Sequence, residues 1–184
     1  MIITCELTVR GRPALEAHFL ILGNEDRRLR FGLPLSDDSV RDYVERIDFA
    51  RDAVFGINDE ELALIGVAHL ARSEEFAELG ISVLPEHRGR GIGAALLSRG
   101  ATHARNWGDR TLLMHCLTEN AAMLHLARKQ GMQIATTSGG AEASVELPPA
   151  SAVSLATEMI EERIGLFDYA LKARLLGARR LRNP

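Results

Sequence analysis

Three glycines fall within five residues at Gly89, Gly91 and Gly93, directly behind Arg88 and with Arg90 between the first two. The residues before them, Phe76–Leu84, read as a strand. Those after them, Gly91 to about Asn106, read as an amphipathic helix with Ile92, Ala95, Leu96, His103, Ala104 and Trp107 near one face. Glycine at such a turn lets the backbone approach a ligand closely. The helix start adds unpaired N–H groups and a partial positive charge. The chemistry this suits is phosphate or pyrophosphate binding, with Arg88 and Arg90 adding charge-assisted bonds.

Two familiar phosphate loops fail. No Lys-Ser or Lys-Thr pair follows the glycines, so this is not the ATP P-loop. Gly89, Gly91 and Ala94 do fit a dinucleotide G-x-G-x-x-A pattern. That pattern should follow its strand at once and meet an acid at the end of the next strand, about 20 residues on. Here Pro85–Arg88 intervene, and Asp109 precedes the next strand instead of ending it.

The elements that must position this loop follow from periodicity. Ile2–Val9 reads as a strand, and a helix starts at Pro13 and ends at Gly23. The charged stretch Asn24–Arg30 reads as a loop. Ser36 caps a helix carrying Val40, Tyr43, Val44 and Ile47. Ala53–Ile57, Leu62–Leu70 and Phe76–Leu84 read as successive antiparallel strands, the first pair joined through Asn58–Glu61. Behind the glycine helix come a strand at Thr111–Leu117, a helix at Asn120–Gln130, and strands near Met132–Thr137 and Ala143–Leu147. Pro148 and Pro149 mark a boundary, giving a domain over residues 1–148 and a helical extension over 149–184. In the extension, Val153, Ala156, Ile160, Ile164, Phe167, Leu171 and Leu175 form one stripe, with Gly165 a candidate kink. This helix either packs on the parent sheet or forms a homodimer contact.

Composition narrows the function. The 184 residues are 46% hydrophobic and 26% charged, enough for one buried core. A net charge of -3 and nine aromatic residues argue against a nucleic-acid partner. Arg174, Arg179, Arg180 and Arg182 make the tail basic, as a solvated helix end does. Two cysteines, Cys5 and Cys116, form no disulfide framework or metal knuckle, and six histidines show no ligand spacing, so no metal is expected. The chain start lacks a basic, then apolar, leader pattern, and no apolar run nears the ~20 residues of a membrane helix. A cytoplasmic protein without a membrane partner is the expectation.

The glycine loop, standing as Arg88-Gly-Arg-Gly91-Ile-Gly93, resembles the R/Q-x-x-G-x-G/A hallmark of the GCN5-related N-acetyltransferase superfamily (GNAT). The strand Ala77–Val83 before it and Asn120–Met132 after it are similar to that family's neighbouring motifs, so the likeness covers about Phe76–Met132. Its Leu126–Gly131 wording loosely resembles the branch that includes bacterial protein lysine acetyltransferases. The resemblance implies an α/β (α+β) fold with a mixed, mostly antiparallel sheet of about six or seven strands flanked by helices. It also implies acetyl-CoA as cosubstrate and an amine acceptor, on a small molecule or a protein. The N–H groups of Gly89, Arg90, Gly91, Ile92, Gly93 and Ala94 would hold the CoA pyrophosphate. Ile81, Ser82 and Val83 would pair with pantetheine like an added strand, and an N–H near Val83 would polarise the thioester carbonyl. Asn120 matches a CoA-side Asn, or is a plain N-cap.

The same resemblance places the general base at Glu78, with His115 as the alternative because imidazole titrates near neutrality. His69, on an adjacent strand, is a weaker candidate. The family's tyrosine acid stands seven residues past the Asn, where this chain has Ala127. Water, Cys116 or His115 must then protonate the thiolate, unless it leaves unaided. Two functions follow: a catalytic N-acetyltransferase, or an acyl-CoA-binding module serving as a sensor or interaction domain.

Overall fold

The computed structural model describes residues 2–73, 76–137 and 139–182. The chain runs β1 (Cys5–Leu7), α1 (Arg12–Ile21), α2 (Asn24–Phe31), α3 (Asp37–Arg46), β2 (Ala53–Asn58), β3 (Leu64–Arg72) and β4 (Ala77–Val83). It continues with α4 (Ile92–Trp107), β5 (Thr111–Cys116), α5 (Ala121–Lys129), β6 (Gln133–Thr137), β7 (Gly140–Glu146) and α6 (Ala152–Arg182). The strands form one seven-stranded sheet in the order β1-β2-β3-β4-β5-β7-β6. Every neighbouring pair is antiparallel except β4 with β5. This is the mixed α/β fold that the resemblance implies.

Strand alternation divides the interior in two. Phe55, Leu70, Leu79 and Ile81 turn to one face and close against Leu96 and Leu97 of α4 and Ala127 of α5. Val54, Val67 and Leu84 turn to the other, against Leu15 and Phe19 of α1 and Val40 and Val44 of α3. Each large side chain sealed in this way contributes roughly 1.5–3 kcal/mol, which fixes the sheet as a rigid platform.

Three readings of the sequence change. The first strand is three residues, with a 3-10 turn over Val9–Gly11 where a longer strand was expected. Asn24–Phe31 is a helix, not a loop. Its charges hide the helix signal yet favour it: Glu25 and Asp26 lie in the first turn and Arg28 and Arg30 in the last, complementing the dipole. Arg27, which a loop would expose, is buried and donates to the carbonyls of Leu20, Leu22 and Leu35 and to Asp37. Finally, Gly165 breaks nothing, because α6 is continuous through it. A Cβ there would collide with the Thr4 carbonyl, so this glycine seats α6 on the segment entering β1.

Candidate active site

β4 and β5 pair at only two positions, Ala77 with Leu112 and Glu78 with Leu113, and then part. Beyond that fork, Leu79–Val83 keep β3 on one side and have no strand on the other. Two cavities meet at the fork. One, of about 440 Å³, runs past Ile81, Ser82 and Val83 to Arg88, Gly89, Gly91, Ile92, Gly93 and Ala94, with Asn120, Met123 and Leu126 of α5 opposite. The other, of about 590 Å³, is lined by Arg30, Tyr43, His69, Glu78, His115, Cys116 and Glu142. Leu29 and Arg30 of α2 line both and form the partition.

The glycine loop is built for close approach. Gly89 and Gly91 take left-handed φ of 73° and 84°, and no side chain caps α4, so its first N–H groups point free of side-chain partners. Arg88 is committed to the loop itself: Nε donates to the Val83 carbonyl at 3.0 Å and Nη2 to Asp26 at 2.7 Å. Arg90 is exposed on the loop. Ser82 turns its hydroxyl away from this cavity, onto His18 Nε2 at 2.7 Å, leaving only its backbone for a guest. Asn120 does two jobs: its Oδ1 accepts from Met123 N at 3.1 Å as an N-cap, and its Nδ2 donates to the Leu29 carbonyl at 3.4 Å. That second bond, with Arg28 to Glu119 at 2.7 Å, ties α2 to the start of α5 across the cavity.

In the second cavity, Glu78, His115 and Glu142 form a line across β4, β5 and β7. His115 Nδ1 is 3.2 Å from Glu78 Oε1, and Nε2 is 3.1 Å from Glu142 Oε2. The register explains it: Glu78 stands opposite Leu113, which shares a strand face with His115, and His115 stands opposite Glu142. All three side chains are about half exposed and reachable from solvent. A ring with a proton on each nitrogen donates to both carboxylates. A ring that has lost one leaves a carboxylate free to accept a proton from an amine.

A second chain of bonds faces this line. Arg30 Nη2 donates to Tyr43 Oη at 3.1 Å, Tyr43 donates to His69 Nδ1 at 2.7 Å, and His69 Nε2 donates to Asp52 at 3.1 Å. Burial holds His69 below its ordinary range, with the Arg30 charge adding to it, so the ring stays neutral and keeps this direction of donation. His69 thus serves as an acceptor for Tyr43. Cys116 borders the same cavity, and burial pushes its thiol up. Position 127 does not reach either cavity: Ala127 is fully buried on the inner face of α5.

Sequence reasoning missed Arg30, Tyr43 and Glu142. Arg30 and Tyr43 come from segments before the glycine loop with no motif of their own. Glu142 is identified only by its register opposite His115.

A forked sheet with a glycine loop at one side and a carboxylate-flanked histidine at the other defines an acyl-CoA-dependent transferase fold. The model of the Acetyltransferase (GNAT) family matches residues 24–132, and the chain belongs to that family of acyltransferases. No curated protein matches the sequence. Among solved structures, the GNAT domain of S. lividans PAT is similar with a TM-score of 0.68 at 22% identity, over 78% of this chain and 89% of that one. The phosphinothricin acetyltransferase of Sinorhizobium meliloti, solved with acetyl-CoA, gives 0.63 at 18% identity over 82% and 94%. The spermidine N-acetyltransferase of Vibrio cholerae, solved with CoA and spermine, gives 0.62 at 18% identity over 79% and 95%. At these identities the likeness carries the fold.

Proposed function

We propose that the protein transfers an acetyl group from acetyl-CoA to a primary amine by direct attack in a ternary complex. One observation carries the reading. The Glu78–His115–Glu142 line lies where β4 and β5 part, beside the cavity that ends at the glycine loop. Acetyl-CoA supplies the activated acyl group. The free N–H groups of Gly89–Ala94 suit its pyrophosphate, and the unpaired edge of Leu79–Val83 suits its amide-bearing arm. Glu78 accepts the amine's proton, with His115 passing it towards Glu142 and solvent. Burial raises the Cys116 thiol, which makes it a poor acid towards a leaving thiolate, so water or His115 supplies that proton in place of a residue at 127. The leaving thiolate, with a pKa near 8.5 for an ordinary thiol, needs little help.

The test measures CoA release and CoA binding together, with small amines, amino acids and lysine peptides as acceptors. Amine-dependent release of CoA is expected. Tight CoA binding with no transfer to any acceptor would overturn the reading in favour of an acyl-CoA-binding module. Ala127, which cannot donate a proton, is the feature that favours that second reading.

A further inference from the structure

We infer that the acceptor carries a carboxylate beside its amine, as a free amino acid does, and that Arg30 receives it; this rests on the proposed acetyl transfer. Arg30 is a half-buried guanidinium set over the rings of Phe19, Phe31 and Tyr43. Among the described residues no carboxylate lies within ion-pair distance of it, and its buried Nε has no hydrogen-bond partner. Among the described residues its one hydrogen bond is to Tyr43 Oη at 3.1 Å. Glu78 and Glu142 contact His115, and His69 contacts Asp52, so among the described residues Arg30 is a cation of this cavity with no carboxylate beside it.

Its place is built. The guanidinium lies across Gly80, where a Cβ would stand 2.5 Å from Arg30 Cζ, so a side chain at position 80 would displace it. Gly80 and Glu78 share one strand face two residues apart, or ~7 Å. The cavity therefore has a cationic wall at Arg30 and Tyr43 and an anionic wall at Glu78 and Glu142. An ammonium and a carboxylate one carbon apart, each with one hydrogen bond outward, span about that distance.

The experiment compares each of several amino acids with its carboxamide and its decarboxylated amine, in the wild type and in Arg30→Gln and Arg30→Lys. The carboxylated acceptor is expected to be preferred by about 10–100-fold in kcat/KM, the usual strength of a charge-assisted pair. Arg30→Gln should erase the preference through KM, and Arg30→Lys should restore part of it. Equal turnover of acid, amide and amine overturns the inference and leaves acetyl transfer standing. A loss of CoA affinity in Arg30→Gln as large as the loss in kcat/KM also overturns it, by moving Arg30 to the donor side. If no acceptor turns over, calorimetry on CoA-saturated protein decides. Amino-acid binding that Arg30→Gln abolishes supports the subsite while sinking the proposed reaction, and absence of binding overturns both.

Discussion

Glu78 Oε1 stands 3.2 Å from His115 Nδ1, on two strands that hydrogen-bond at this level and separate just beyond it. The pair therefore sits at the one place where a carboxylate on β4 can reach β5 and still face an opening in the sheet. Replacing Glu78 by Gln keeps the shape and removes the proton acceptor. We expect kcat to fall by about 10²–10⁴-fold, the usual range for general-base loss, with acetyl-CoA affinity unchanged. Unchanged turnover would retire Glu78 as base. Glu142→Gln leaves Glu78 and His115 in place, and we expect a smaller fall in kcat with little change in KM.

The glycine loop predicts a separation of strain from binding. Gly91 and Gly108 both take left-handed φ, 84° and 92°, at opposite ends of α4. A substitution at either costs about 1–2 kcal/mol of backbone strain. Only Gly91 borders the donor cavity. Gly91→Val should weaken CoA binding by at least about tenfold. Gly108→Ala should lower Tm similarly and leave the CoA dissociation constant where it was. Equal CoA affinity in both variants would contradict the placement of CoA.

What the sequence disclosed depended on whether a feature was local. The loop from Arg88 to Ala94 and the cap at Asn120 are encoded by neighbouring residues, and both were readable. Ser36 was read as an N-cap, and its side chain accepts from Ser39 N. Helix α2 was missed because its stripe is short and its buried residue is an arginine. The apolar stripe of α6 was read correctly, but not which face meets the domain. Polar contacts such as Glu158 with Arg99 decide that, and they join residues 59 apart in sequence. Arg30, Tyr43 and Glu142 enter the cavity only through packing and strand register, which hydrophobic periodicity does not specify.

Position 127 predicts a failed rescue. Ala127 is fully buried among Leu96, Leu112 and their neighbours. Ala127→Tyr adds a ring and a hydroxyl to a filled interior, which costs about 1–3 kcal/mol or more. We expect a lower Tm, measured by calorimetry, and no gain in kcat. A faster, equally stable variant would show that this position reaches the thioester after all.

His18 links acid to the donor cavity. Its Nδ1 donates to the Leu64 carbonyl and its Nε2 accepts from the Ser82 hydroxyl, both at 2.7 Å. Burial drives its pKa down to about 4 from an ordinary 6.5, so the fold holds the ring neutral and pins β4 through Ser82. Because the folded value lies below the unfolded one, the stabilisation is complete above pH 6.5 and is lost as pH falls through about 4. The full shift corresponds to a few kcal/mol. Protonation adds a hydrogen to Nε2 and removes its acceptor role, which releases the Ser82 hydroxyl. We therefore expect urea midpoints to fall between pH 6.5 and 4 in the wild type. In His18→Gln, which keeps a polar contact but does not titrate, the slope over this window should be shallower and the stability at pH 7 lower. Matching slopes in the two proteins would assign the acid sensitivity to other groups.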